Sequence, residues 1–141
     1  MNFRKYESMF KWNERYSVGV EEIDDQHKII FTILDKLYNS LKVGRVEIVL
    51  NQILPELEDY TVQHFQKEEF FFEKFNFTDT EAHIREHEGF KCKLIEIRHE
   101  IQTGRDAISF DLMVFLKNWI DHHILVADRQ YSECFRQNGL K

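Results

Sequence analysis

Apolar residues recur at alternating intervals of three and four along four blocks of the chain, which is the spacing of one face of an α-helix. The first block runs from Ile23 to Leu41 and stops before Gly44, a residue type that commonly follows a helix C-terminus. The pattern predicts four helices, near residues 20–42, 46–75, 79–103 and 110–136. Because helices joined by short connections pack as antiparallel neighbours, we predict an all-α fold, an up-down-up-down antiparallel four-helix bundle.

Length and composition agree with a single domain over residues 1–141. A chain of 141 residues can bury a core of its own but is too short for two domains of ordinary size. Only 5 glycines and 1 proline are present, which is too few turn residues for an all-β fold. Residues 1–19 lack a regular period but hold five aromatic side chains, so we expect an N-terminal aromatic-rich arm that packs across the bundle.

The single proline, Pro55, falls inside the second predicted helix. There it removes one backbone hydrogen bond and crowds the preceding turn, at a cost of about 3 kcal/mol in a regular helix. Either this helix is kinked at Pro55 or it begins late, and the periodicity from Leu57 onward is the same in both cases.

Charge and hydropathy exclude several classes of partner. The formal net charge is −6, and the sequence has no cluster of Lys and Arg that could attract phosphate groups. We therefore expect no nucleic-acid binding. The longest apolar runs are far shorter than the roughly 20 residues that cross a bilayer, so we expect no membrane insertion. The N-terminal residues carry charges and no apolar leader segment, and Cys92 and Cys134 lack disulfide or metal spacing. We therefore expect a cytoplasmic location and free thiols.

Each predicted helix carries imidazole or carboxylate side chains on the stripe that should face an apolar core. The residues are His27, His64, Glu68, His83, His87, His123 and Asp128. Residues four apart are neighbours on a helix face, with Cβ atoms about 5–6 Å apart, so two pairs can each chelate one ion: His64 with Glu68, and His83 with His87. Asp128 lies five residues after His123, about 140° around a regular α-helix, so these two side chains are predicted to flank the inward direction.

A single histidine in such a stripe is most simply a core residue hydrogen-bonded to a backbone carbonyl. That interpretation fails for the set, because burying a carboxylate is costly unless it is paired or binds a metal, and no Lys or Arg shares the stripe with Glu68. Seven ligands are too many for one tetrahedral zinc ion, and thiolates are absent from the set. The sequence therefore predicts a buried two-metal site, while imidazole ligands leave iron, copper, nickel and zinc open.

Four motifs follow one another along the chain. They are Ile23-Asp24-Asp25-Gln26-His27, His64-Phe65-x-x-Glu68-Glu69, His83-x-x-x-His87-x-x-Phe90 and Trp119-Ile120-x-x-His123-Ile124-x-x-x-Asp128-x-x-Tyr131. Together they closely resemble the hemerythrin family, and most of all its single-domain bacterial members, the bacteriohemerythrins. The match runs over nearly the whole chain and includes every metal ligand of that family. It departs at Phe72, where many members have Met, and at Ile120, where Leu is frequent.

The resemblance implies reversible dioxygen binding at two non-haem iron ions, Fe2+ or Fe3+, that share an oxo or hydroxo bridge. It implies one iron held by His83, His87 and His123, a second held by His27 and His64, and bridges from Glu68 and Asp128. The residues that resemble the family's dioxygen pocket are Phe65, Trp119, Ile120 and Tyr131, although ordinary core packing explains each equally well. The implied partners are dioxygen and either an oxygen-consuming enzyme or a reductase, and we expect a monomer.

Three functions are compatible with the sequence. The first is dioxygen transport, storage or delivery without catalysis, which complete ligation and an aromatic, acid-poor pocket favour. The second is an oxygen or redox sensor, which would act on a partner in trans because no signalling module is fused to the chain. The third is a di-iron oxidase or nitric oxide scavenger, for which the sequence offers no clear proton donor near the open iron.

Overall fold

A computed structural model describes residues 10–104 and 108–141, and these residues form an all-α four-helix bundle. Each helix of the bundle is one continuous rod. The first rod is α1, Glu21–Lys42. The second rod joins α2 (Val46–Ile48), a π-helical turn (Val49–Ile53) and α3 (Leu54–Phe75).

The third rod is α4, Thr80–Gln102, and the fourth joins α5 (Ile108–Trp119), a π-helical turn (Ile120–Ala127) and α6 (Asp128–Gln137). These bounds differ from the predicted ones by no more than two residues at either end of a rod. α1 packs against α3 and α5, and α4 packs against the same two helices, so consecutive rods are antiparallel neighbours in a closed ring. Within the described ranges, no helix is both long and apolar enough to cross a bilayer.

The described part of the N-terminal arm packs against the first rod. Residues Glu14–Tyr16 form a single 3-10 turn, which Asn13 caps by accepting a hydrogen bond from the Arg15 N–H at 2.9 Å. The rings of Trp12 and Tyr16 lie against Phe31 of α1, with centroid distances of 5.6 and 4.7 Å. Residues 1–9 of the predicted arm lie outside the described residues.

The first π-helical turn lies directly before Pro55. Because proline has no N–H to donate and crowds the carbonyl four residues back, a regular α-helical turn is unfavourable at this place. Here the Leu54 N–H donates to the carbonyl of Val49, five residues back, which is the hydrogen bond of a π-helix. The helical backbone runs unbroken from Val46, so the structure shows an irregular helix rather than a late start.

The second π-helical turn changes the placement of Asp128. The backbone N–H of Asp128 donates to the carbonyl of His123, again five residues back. Along this turn, residues five apart lie one above the other instead of about 140° apart as in a regular α-helix. The predicted separation of about 140° assumed a regular α-helix and does not apply to this turn, where Nε2 of His123 lies 2.8 Å from Oδ1 of Asp128.

The buried apolar side chains form two clusters, and the polar stripe residues lie between them. The larger cluster includes Ile30 and Phe65, and the smaller one includes Ile23 and Phe71. On α1, the chain passes from the smaller cluster at Ile23 through His27 to the larger cluster at Ile30. The polar side chains thus form a layer across the bundle, with apolar packing on both sides to exclude water.

Candidate metal centre

The predicted ligand residues meet in this buried layer. None of them exposes more than 3% of its surface. Their ligand atoms fall into two groups, in each of which all atoms lie within 4.8 Å of one another. The three-histidine group is Glu68, His83, His87, His123 and Asp128, and the two-histidine group is His27, His64, Glu68 and Asp128. Both groups contain the same two carboxylates.

In the three-histidine group, the imidazole nitrogens surround carboxylate oxygens. Nε2 of His83 and Nε2 of His123 each lie 2.8 Å from Oδ1 of Asp128. Nε2 of His87 lies 3.1 Å from Oε1 of Glu68. His83 and His87 come from successive turns of α4, and the π-helical turn brings His123 to the same point from the fourth rod.

In the two-histidine group, one nitrogen approaches each carboxylate. Nε2 of His27 lies 2.9 Å from Oδ2 of Asp128, and Nε2 of His64 lies 3.1 Å from Oε1 of Glu68. The two Nε2 atoms are 3.1 Å apart. Asp128 therefore turns one oxygen toward each group, which is the arrangement of a carboxylate that bridges two ions.

These close contacts do not satisfy the atoms that make them. Nε2 of His83, His87 and His123 and all four oxygens of Glu68 and Asp128 are buried and lack a hydrogen bond of acceptable geometry to any described residue. Two ligand atoms about 2.1 Å from one ion and at right angles to each other lie about 3 Å apart, which is the spacing found here. Unsatisfied donor atoms that converge at this spacing fit a metal ion at each group, and the imidazole and carboxylate donor set suits iron among others.

Both carboxylates remain ionised in spite of their burial. Burial and the charge of Asp128 raise the pKa of Glu68, but the contacts with His64 and His87 outweigh them and leave it well below its usual range. For Asp128, burial likewise raises the pKa, and the contacts with His123, His27 and His83 lower it further than burial raises it. The layer therefore holds buried negative charges that a cation would balance.

Within this layer, the pKa of one imidazole is raised and the pKa of another is lowered. Burial lowers the pKa of His123, but the charge of Asp128 and a hydrogen bond to Glu86 raise it to about 10. For His64, burial is the larger effect and lowers the pKa although Glu68 opposes it. A metal ion needs the unprotonated imidazole, so it would displace a proton from His123 when it binds.

A second set of residues holds the outer nitrogens of the histidines. Nδ1 of His64 lies 2.7 Å from Oε1 of Gln26. Nδ1 of His123 lies 2.8 Å from Glu86, and Nδ1 of His87 lies 3.3 Å from Glu69, in both cases at a carboxylate Oε2. Such partners fix the orientation of each ring and the nitrogen that faces the metal. Sequence reasoning expected acceptors of this kind but did not identify them. Their only signal was proximity to a ligand in the chain, since Gln26, Glu69 and Glu86 each adjoin one, although each contacts a histidine elsewhere in the sequence.

Two of the four predicted pocket residues stack on histidines of the three-histidine group. Phe65 stacks on His87, with centroids 3.8 Å apart and an interplanar angle of 7°, and Trp119 stacks on His123 at 3.8 Å and 12°. Ile120 is 3% exposed and belongs to the larger cluster with Phe65. These side chains cover the centre with apolar and aromatic surface.

Tyr131 lies apart from the other predicted pocket residues. It belongs to the smaller cluster, where its ring lies 5.4 Å from Phe72 and 5.6 Å from His83. Phe72 is fully buried and approaches His83 edge to face at 4.8 Å, so the larger ring at this position fills space beside a candidate ligand. Sequence reasoning overlooked Tyr60 of the larger cluster, whose ring stacks on His64 at 5.2 Å.

The remaining histidines and the cysteines lie outside the layer. His99 and His122 are exposed, in agreement with their positions off the core stripe. Cys92 is exposed, Cys134 is partly buried, and both are free thiols. None of these four side chains belongs to either group of candidate ligands.

Comparisons with known proteins agree on one family. A family model described as the hemerythrin HHE cation binding domain matches residues 18–134. A bacteriohemerythrin from Clostridium acetobutylicum is 31% identical over 89% of this chain and 100% of its own. A hemerythrin-like protein from Naegleria gruberi is 32% identical over 89% of this chain and 92% of its own. The solved structure of a wild-type hemerythrin superposes with a TM-score of 0.81 at 28% identity, covering 89% of this chain and 97% of the other.

Proposed function

The chain belongs to the hemerythrin family, and from that membership we propose that it binds dioxygen reversibly at a non-haem di-iron centre, as a transport, storage or delivery protein. The observation that carries the proposal is the buried layer of five imidazoles and two carboxylates, whose ligand atoms converge in two groups while three of the inner nitrogens and all four carboxylate oxygens lack a hydrogen bond to any described residue. Ordinary core packing does not account for so many unsatisfied buried polar atoms at one level of a bundle.

Each group would hold one iron. His83, His87 and His123 would bind the first, His27 and His64 the second, and Glu68 and Asp128 would bridge the two. With three histidines on one side and two on the other, the second iron would have fewer protein ligands and an open position for a small molecule. When bound, the iron pair supplies the electrons that reversible dioxygen binding requires.

The surrounding side chains support binding without turnover. Proton delivery to a reduced oxygen ligand would convert reversible binding into irreversible oxidation, so such a pocket should be dry and poor in acid groups. Phe65 and Trp119 cover two ligand imidazoles on the side of the larger cluster, to which the buried Ile120 also belongs. The carboxylates in the layer have lowered pKa values, so they carry no proton to donate at neutral pH.

The test is the absorption spectrum of the anaerobically reduced, iron-loaded protein during oxygen addition and removal. We expect a visible band that appears with oxygen, disappears under vacuum and returns over repeated cycles. His123→Ala should abolish the band because it removes a ligand, whereas the adjacent His122→Ala should retain it because His122 is exposed. Irreversible oxidation at the first addition, or steady oxygen consumption with an added reductant, would contradict carriage and favour an oxidase.

A further inference from the structure

The hydroxyl group of Tyr60 is buried and has no hydrogen-bond partner among the described residues. Tyr60 lies on α3 one turn before His64, and its side chain is 5% exposed. Buried hydroxyl groups almost always find a partner, because an unpaired one loses its hydrogen bonds to water without compensation. The Tyr60 hydroxyl is therefore available to a partner other than the described residues.

The position of the ring limits where that partner can lie. The Tyr60 ring stacks on the His64 ring with centroids 5.2 Å apart and an interplanar angle of 11°, which holds the tyrosine beside the two-histidine group. Tyr60 also belongs to the larger apolar cluster with Phe65 and Ile120. Tyr60 thus lies where that cluster meets the two-histidine group, the side of the centre that has fewer protein ligands.

Tyr131, the other buried tyrosine near the centre, differs in its surroundings. It belongs to the smaller cluster, and a contact with Glu68 is among the causes that raise its pKa. The pKa of Tyr60 is raised by burial first and then by the charges of Glu68 and Asp128. The hydroxyl groups of Tyr131 and Tyr60 are both buried without a hydrogen bond to a described residue, and Tyr60 is the one whose ring stacks on a histidine of the two-histidine group.

The Tyr60 hydroxyl is a donor that keeps its proton. A tyrosine hydroxyl ordinarily loses its proton only at about pH 10, so the Tyr60 phenol is neutral across the physiological range. A neutral phenol donates a hydrogen bond to an acceptor that carries negative charge without transferring the proton. Such a donor is compatible with reversible binding, in which proton transfer would be harmful.

We propose that Tyr60 donates a hydrogen bond to the small ligand that binds beside His27 and His64, whether reduced dioxygen or a small inorganic anion. This inference rests on the proposed function, because it needs a metal ion at the two-histidine group. It assigns Tyr60 to the binding pocket as a residue that determines ligand affinity.

The first experiment measures azide binding to the oxidised, iron-loaded protein by absorbance. A hydrogen bond to a charged acceptor is lost in Tyr60→Phe, so we expect azide affinity to fall about 10-fold or more with the iron content unchanged. Tyr38→Phe is the matched control, because Tyr38 lies partly exposed against Phe10 of the arm, and its azide affinity should equal that of the wild type. Equal affinities in all three proteins would overturn the inference and leave the proposed function standing, whereas a wild-type protein without iron would overturn the proposed function itself.

Two further measurements separate ligand binding from a structural role. If the hydroxyl has no partner in the protein, the iron-free Tyr60→Phe variant should be at least as stable to denaturant as the iron-free wild type, and a clear loss of stability would overturn the inference. The infrared stretch of bound azide should shift between H2O and D2O in the wild type because a hydrogen-bonded proton is exchanged. Absence of that shift would overturn the inference even if the variant failed to retain iron.

Discussion

At the scale of single residues, the two groups of ligands differ in what lies behind their imidazoles. His123 and His87 face carboxylates at their outer nitrogens, from Glu86 at 2.8 Å and Glu69 at 3.3 Å. The outer nitrogen of His64 faces the neutral amide oxygen of Gln26. The outer nitrogen of His27, Nδ1, is buried without a partner among the described residues. Because a carboxylate acceptor makes an imidazole a stronger donor to a metal, we expect the three-histidine group to hold its ion more tightly.

Removal of Glu86 tests this effect without removing a ligand. We expect Glu86→Ala to weaken metal binding at the three-histidine group about 10–100-fold, because the outer partner of His123 is lost. Glu86→Gln should weaken it less, because an amide oxygen still accepts the hydrogen bond. Competition of the protein with a coloured chelator for zinc measures these affinities.

Glu88→Ala is the control for that series. Glu88 lies on the same helix, is exposed and contacts Lys91 at the surface, so its removal should leave zinc affinity unchanged. Equal zinc affinities for Glu86→Ala and Glu88→Ala would show that the carboxylate behind His123 contributes nothing to metal binding.

At the scale of helices, apolar periodicity predicted the rods but not their π-helical turns. Periodicity reports which face of a helix is buried, and the rods end where that pattern ends. In a π-helical turn, each N–H donates to the carbonyl five residues back instead of four. The same residues stay buried, so the apolar pattern does not reveal the change of helix type. The separation of His123 and Asp128 by five residues was the one available signal, and its meaning depended on the assumed helix type.

The turn after α3 provides a test of backbone conformation. Asn76 adopts the left-handed conformation, with φ of 52°, and the following Phe77 N–H donates to the Phe72 carbonyl at 3.0 Å. Asparagine and glycine tolerate this conformation, whereas alanine is strained by about 1–2 kcal/mol. We therefore expect Asn76→Ala to lower the free energy of unfolding by about 1 kcal/mol and Asn76→Gly to leave it nearly unchanged. Chemical denaturation measures both, and equal losses would show that the backbone conformation is not the cause.

At the scale of the whole molecule, the bundle presents a polar layer between two apolar clusters. The seven layer residues could be predicted from the sequence because each interrupts a stripe that is otherwise apolar. Tyr60 lies four residues before His64 on the same rod, so spacing alone could also have predicted their contact. The outer partners Gln26, Glu69 and Glu86 could not be identified. Their contacts depend on how each rod is rotated about its axis against the next, and one-dimensional spacing does not contain that rotation.

The same layer makes metal binding and folding depend on each other. Its buried carboxylates and unsatisfied imidazoles are costly without a cation, so bound ions should stabilise the folded chain. The net charge of −6 also favours cations over anions around the molecule. The structure therefore predicts two ions per chain, because each of the two groups needs an ion of its own.

Native mass spectrometry of the iron-loaded protein counts the ions bound to each chain. We expect the dominant species to carry two irons, because ligand atoms converge in two groups and the carboxylate oxygens that both groups share lack a hydrogen bond to any described residue. A dominant species with one iron, or with none under conditions in which the chain is folded, would contradict a dinuclear centre in this layer.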